Sequence, residues 1–444
     1  MTLSRLLMPF LARMVTSPKT RNLRRGWFEV KRRLRPSLNT VIFYHRVDDP
    51  YSLLLLQALP RFLEDFKVDL QIRLVLDLPA EANPVPELQA RYALTDARRL
   101  AQLHGLVFPA NASQPSPEDA LKASAILLKH QDRPRLLHLV TEVTAALWGC
   151  STTTFHSAAK RYGSLKDSEA RQLLSQNSAE LVARGHYQSA MLYYGGEWYW
   201  GLDRLAHLAD RLNKPGIRRA SGDLADYQRQ YRHVLQSYNT LRPRPKQVKP
   251  LDFYFSFRSP YSYLAADRVF KLADLYKIPV LPKPIMPMVN RGIPLPKAKR
   301  RYILRDAKRE AEKYNLPFGK ICDPLGDGVR NAMALFPFAQ EQGKDQEFVV
   351  SVLSGIWAEG LDMTRPSHQR KMLERAGLDW PQARASLDND NWRRLAERNG
   401  GELEQLGLWG VPAFRYGSLI LWGQDRLWAL EKAVLAGTKN GTQE

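Results

Sequence analysis

At 444 residues the chain is long enough for two to three domains, and its 44% hydrophobic content is ordinary for a globular protein. Its net charge is +21, yet no run of about 18 apolar residues exists, which excludes a spanning helix. Two distant cysteines, Cys150 and Cys322, exclude a disulfide framework and a C-x-x-C centre, and they point to a reducing, cytoplasmic compartment.

The chain opens on a basic segment. Residues 1–36 hold ten Lys/Arg and one acid, Glu29, a net +9. Leu3, Leu6, Leu7, Phe10, Leu11, Met14 and Val15 recur at helical spacing, with Arg5 and Arg13 between them. Arg13 breaks the apolar run and no small-residue cleavage pattern follows, which argues against a signal peptide. Two readings stay open. One is a solvated tail or a helix packed on the body. The other is a basic amphipathic helix on an anionic membrane surface, peripheral at the inner face of the membrane. No base-reading motif accompanies the charge, so nucleic acid is not an expected partner.

Short apolar, aromatic and β-branched runs at 39–47 and 250–257 predict buried strands. Each leads through a proline into a helical run, Leu53–Phe66 or Tyr263–Leu275, and then into a second strand at 68–74 or 278–281. Long helices are predicted over Gln89–His104 and Ala298–Tyr314, with more helix around Trp148 and Trp357. Ala413–Tyr416 and Leu419–Trp422 read as paired strands about the turn Gly417-Ser418, and a last helix follows Gly423. Gly222–Leu241 reads as helix, and 242–246 as an extended, Pro-rich linker. The order β-α-β, helical block, β-β-α is the thioredoxin-like plan with a helical insertion.

The plan is written twice. Phe43-Tyr44, Pro50-Tyr51-Ser52, Pro84, Pro86, Arg91-Tyr92 and Asp96-Ala97 return 210 positions later as Phe253-Tyr254, Pro260-Tyr261-Ser262, Pro294, Pro296, Arg301-Tyr302 and Asp306-Ala307. Tyr194-Gly195, Trp200-Gly201 and Asp203-Arg204-Leu205 return 222 positions later as Tyr416-Gly417, Trp422-Gly423 and Asp425-Arg426-Leu427. The expected architecture is α/β: two tandem thioredoxin-like domains, each with a helical insertion, over 37–215 and 250–444. Residues 216–249 would join them, and 1–36 would stand apart.

Three features of the second repeat bear on chemistry. Ser259 stands before Pro260 at a strand-to-helix turn, where free backbone N–H groups and the positive helix end favour an anion such as a thiolate. The same residues also suit an ordinary N-cap. Gly410-Val411-Pro412-Ala413 precedes the penultimate strand, a position that suits a cis proline and an exposed backbone edge. Gln424 and Asp425 begin the last helix, although Asp203-Arg204 in the first repeat gives the Asp-Arg pair a structural reading too. Only His368 is present among second-repeat histidines, so no multi-histidine metal site is expected there.

Taken together, Asp252–Phe255, Phe257–Leu264, Asn290-Arg291, Lys299–Tyr302, Gly410–Pro412 and Trp422–Arg426 resemble the 2-hydroxychromene-2-carboxylate isomerases and the kappa-class glutathione transferases, of the DsbA-like branch of the thioredoxin superfamily. The resemblance spans about 250 to 437. It implies that Ser259 hydrogen-bonds a glutathione thiolate, and that Asn290 and Lys299 contact glutathione or substrate. It further implies that Val411 and Pro412 present backbone to glutathione and that Gln424 and Asp425 hold its γ-glutamyl end. The first repeat departs from this pattern, with Asp49, Ala80, Gln89 and Ala190 at the places of Ser259, Asn290, Lys299 and Pro412. It reads as a non-catalytic copy and as an intramolecular pseudo-dimer partner, since related enzymes form homodimers.

The function this implies is a glutathione-dependent isomerase or transferase acting on an aromatic or conjugated carbonyl acid. Two rivals stand beside it. A DsbA-like thiol-disulfide oxidoreductase lacks its cysteine pair here, and fold alone does not assign activity. A non-enzymatic membrane-surface binding protein would suit the basic N-terminus.

Overall fold

The computed structural model describes residues 3–34, 39–132, 136–219, 224–231 and 248–439. The linker at 242–246 and most of the helix expected over Gly222–Leu241 lie outside these residues. The chain divides into two compact units. One comprises Arg24–Gln230 and Pro296–Tyr302; the other comprises Met1–Leu23, Tyr231–Leu295 and Ile303–Glu444. The expected boundaries therefore shift at two places. Residues 1–36 are not a body apart, and residues 296–302, expected in the second domain, group with the first sheet.

The N-terminal segment is two helices, α1 (Leu3–Thr16) and α2 (Pro18–Leu34), where the apolar spacing had predicted only the first. Proline at the first turn of α2 is tolerated because its missing N–H would be unpaired there anyway. One face of each helix packs on the protein. Thr16 is buried and donates to the Ala12 carbonyl at 2.8 Å, and Arg21 pairs with Glu312 at 2.7 Å. In the other unit Arg25 forks onto Glu197, both bonds 2.7 Å, and Phe28 meets Tyr194 edge-on at 5.5 Å.

The first unit is built on β1 (Thr40–His45), β2 (Asp69–Leu74), β3 (Met191–Tyr194) and β4 (Glu197–Trp200), in the order β2-β1-β3-β4. β1 and β2 are parallel, so a crossover must join them, and α3 (Pro50–Asp65) supplies it. β3 and β4 form a hairpin whose turn, Gly195-Gly196, has φ of 54° and 81°. Two consecutive left-handed residues match the twist of a two-residue hairpin, which is why glycines sit there. Ile42, Tyr44, Val75, Leu181, Met191 and Trp198 form a buried cluster, with Tyr302 packed against it.

The second unit repeats this layout with β5 (Leu251–Phe255), β6 (Val280–Pro284), β7 (Ala413–Tyr416) and β8 (Leu419–Trp422), in the order β6-β5-β7-β8. Every residue of β5 is buried. Phe253 stacks on Phe414 at 5.4 Å and meets Phe270 edge-on at 5.8 Å. Each such buried ring contributes about 1.5–3 kcal/mol by leaving water. The crossover helix is Pro260–Tyr276.

The likeness extends to individual bonds. Tyr51 Oη donates to Asp96 at 2.9 Å, and Tyr261 Oη to Asp306 at 2.8 Å. Trp148 Nε1 donates to the Val47 carbonyl, and Trp357 Nε1 to the Phe257 carbonyl. The Arg46 N–H reaches Ser52 Oγ, and the Ser256 N–H reaches Ser262 Oγ. Tyr44 bonds Glu180, and Tyr254 bonds Glu402. The repeated sequence letters are thus residues that tie the same loops to the same strands in both units.

Candidate functional site

The site is assembled from the turn after β5 and the loop before β7. Ser259 caps the helix Pro260–Tyr276 from an extended backbone (φ −100°, ψ 115°), and its Oγ accepts the Ser262 N–H at 3.1 Å. The turn is held by the Ser259 N–H on the Ser256 carbonyl at 2.9 Å. The Ser259 hydroxyl points its proton at the Val411 carbonyl, 3.5 Å away, which is long for an O–H donor. Residues 152 positions apart are thereby brought face to face. The Val411–Pro412 peptide is cis, as the sequence suggested.

The loop that carries Val411 is fixed from two sides. A Cβ at Gly410 would lie 2.5 Å from the Trp422 ring, so only glycine lets the backbone pass there. Trp409 packs edge-on to Trp422 at 4.9 Å. Arg291, next to Asn290, donates to the Trp409 carbonyl at 3.1 Å. Asn290 itself is exposed on the tight turn Met288–Arg291, which this bond anchors to the Val411 loop. Arg258 stands beside Ser259 and forks onto Asp323 at 2.7 and 2.9 Å.

Gln424 is not placed as the resemblance implies. Its side chain is turned into the interior, 1% exposed, where Arg268 donates to its Oε1 at 2.6 Å and its amide donates to Glu310 at 2.7 Å. Tyr231 closes the network on Glu310 at 2.7 Å, and the Arg268 guanidinium lies 3.5 Å from the Tyr314 ring centre. Its amide thus holds the turn that presents Asp425, a half-buried carboxylate it also hydrogen-bonds. Arg268 and Glu310 were not singled out in the sequence. A comparison of the repeats contains the signal: at the matching places the first unit has Ala58, Leu100 and Leu202, all apolar.

Lys299 is also displaced from its expected company. It belongs to the unit that holds the first sheet, with its Nζ 5.9 Å from the ring centre of Tyr187. Burial beside that ring lowers its pKa to about 8.

At the matching turn of the first unit the chemistry is inverted. Asp49 takes the capping position, and its carboxylate accepts from Ser189 Oγ at 2.7 Å, Ser52 Oγ at 3.2 Å and the Tyr51 N–H at 3.0 Å. Burial pushes this carboxyl above its ordinary pKa. Asp48 replaces Arg258, and Ala190 (φ 56°) replaces Pro412. A cleft of about 930 Å³ opens there, and Asp77, Glu87, Glu118 and Asp119 line it together with Asp48 and Asp49. Lys122, Arg171 and Arg46, which forks onto Asp48, also line the cleft, so it is Asp49 at the cap that would repel a thiolate held there.

Residues 250–435 match the family model of the DSBA-like thioredoxin domain, so the C-terminal half is a mixed α/β domain of that kind. In sequence this half is similar to the 2-hydroxychromene-2-carboxylate isomerases. That of Pseudomonas putida is 29% identical over 197 residues, 41% of this chain and 93% of that protein. That of Sphingobium xenophagum is 28% identical over 203 residues, 42% of this chain and 99% of that protein. A solved 2-hydroxychromene-2-carboxylate isomerase structure aligns at 27% identity with a TM-score of 0.37, covering 41% of this chain and 93% of that one.

Proposed function

We propose that the second unit is a glutathione-dependent isomerase or transferase for an aromatic or conjugated carbonyl acid. The observation that carries this reading is the Ser259 hydroxyl at a helix N-terminus, opposite the Val411 backbone, with only a 3.5 Å bond to occupy its proton. A donor so weakly engaged is available to an anion. The likeness to isomerases over the same residues supports the class of reaction.

Glutathione, when bound, supplies a thiolate able to add reversibly to a conjugated carbon and so free a double bond to rotate. The chain's residues set up that chemistry. Ser259 would donate a hydrogen bond to the sulfur, and the helix end behind it favours negative charge. The Val411 backbone receives the extended peptide of the tripeptide. Asp425 meets the γ-glutamyl ammonium, and Gln424 holds Asp425 in place. Asn290 offers its exposed amide to the substrate carboxylate.

The first unit is, in the same proposal, a copy of the second that has lost the thiolate site. Its shared bonds hold the fold, while Asp48 and Asp49 replace Arg258 and Ser259.

The test is turnover of 2-hydroxychromene-2-carboxylate by the full chain with and without glutathione. The expected result is isomerisation that requires glutathione and falls about 10- to 100-fold in Ser259→Ala, the loss of one hydrogen bond to a charged group. Equal turnover without glutathione, or none with it, would contradict the proposal.

A further inference from the structure

α2 presents a continuous apolar row to solvent. Leu23, Trp27, Val30 and Leu34 are 75%, 63%, 48% and 78% exposed. Their spacing of four, three and four residues sets them on one face of the helix. The opposite face is already used, by Arg21, Arg25 and Phe28. The exposed row is therefore neither a frayed tail nor a core face awaiting the rest of the fold. α1 shows the same division. Phe10, Leu11, Met14 and Val15 are exposed, while Thr16 is buried.

The charges beside the row are all of one sign. Lys19, Arg24 and Lys31 are exposed along its flanks, and Arg13 is exposed on α1. Lys31 Nζ lies 5.2 Å from the Trp27 ring centre. The one acid of the segment, Glu29, is turned away, pairing with Arg32 at 2.9 Å. An aromatic and aliphatic row edged by cations, on a helix too short and too polar to cross a bilayer, has the composition of an interfacial helix. A second copy of the chain is a poor occupant, because two such faces would bring like charges together.

We infer that α1 and α2 dock the protein on an anionic lipid surface, with Leu23, Trp27, Val30 and Leu34 entering the headgroup boundary and Lys19, Arg24 and Lys31 meeting lipid phosphates. The docking is reversible and weakened by salt, since its electrostatic part is screened within a Debye length. It involves none of the residues of the Ser259 site and does not depend on the function proposed for it.

The experiment is co-sedimentation of the full chain with phosphatidylglycerol vesicles and with phosphatidylcholine vesicles. Binding is expected to the first at low salt, to fall at high salt, and to be far weaker to the second. A variant with Leu23, Trp27, Val30 and Leu34 all changed to Ser keeps the charge and should bind at least about tenfold less. A variant with Lys19, Arg24 and Lys31 changed to Gln should lose the preference for phosphatidylglycerol. Circular dichroism identical to the parent's shows that both variants fold. Absence of binding to phosphatidylglycerol at low salt would overturn the inference. So would binding that survives the loss of the apolar row. Self-association of the parent that the Ser variant abolishes, without vesicle binding, would assign the face to a second copy instead.

Discussion

At the scale of single residues, two positions decide the argument. Position 259 is a hydroxyl and position 49 a carboxylate, in turns that the two units otherwise build alike. A Ser before Pro at a helix start was legible in the sequence because capping chemistry is local. The role of Gln424 was not. A ligand-facing amide and a buried one look the same in sequence, and Arg268 and Glu310 lie 156 and 114 positions away. His45 was passed over for a similar reason. It sits in β1 where β5 has Phe255, fully buried, with Nε2 3.1 Å from Thr144 Oγ1. Burial holds its pKa down to about 3. The unfolded chain, with a pKa near 6.5, binds the proton first as pH falls. Stability from this group is thus fully present above about pH 6.5 and is lost between there and pH 3, roughly 2 kcal/mol of it by pH 5. His45→Phe should flatten that acid loss. Urea denaturation at pH 7 and pH 5 measures it, and an unchanged difference between the two would mean that another group carries the sensitivity.

At the scale of elements, the strands were readable because short buried runs bounded by turn residues leave few alternatives. Ala413–Tyr416 and Leu419–Trp422 fall where the pattern put them. α2 was harder, since its apolar row faces outward and no core periodicity announces it. The polar network under the Gln424 turn is an element-scale feature with a testable energy. Arg268→Ala removes the donor to the buried Gln424 side-chain and backbone oxygens, which should cost about 1–3 kcal/mol. Replacing the whole set by the first unit's residues, Arg268→Ala, Glu310→Leu and Gln424→Leu, with Tyr231→Phe to remove the stranded hydroxyl, should recover most of that loss. Thermal denaturation of the single and combined variants compares them. A combined variant less stable than Arg268→Ala would show that the network stabilises the fold outright, not merely that breaking it is costly.

At the scale of the whole molecule, two sheets of the same strand order carry one turn capped by Ser259 and one capped by Asp49. Tyr51 with Asp96 and Tyr261 with Asp306, pairs that the sequence showed 210 positions apart, make the same bond in each unit. The grouping of Lys299 with the first sheet was not visible in the sequence, because nine residues of spacing from Asn290 say nothing about which sheet a helix start packs on. Calorimetric titration of the full chain should give one glutathione site, not two, and Asp49→Ser alone should not create the second, since Asp48 and Ala190 remain at the places of Arg258 and Pro412. Two sites in the parent would refute the loss of the first. The central claim is that Ser259 stabilises a thiolate, and thiolate absorbance of the glutathione complex against pH tests it most directly. A hydrogen bond to a charged group contributes roughly 1.5–3 kcal/mol, and about 1.4 kcal/mol is one pKa unit. Ser259→Ala should therefore raise the bound thiol's pKa by about one to two units, short of the free thiol's value because the helix end remains, while Ser262→Ala serves as control. An unchanged pKa in Ser259→Ala, with glutathione still bound, would show that Ser259 is a helix cap and nothing more.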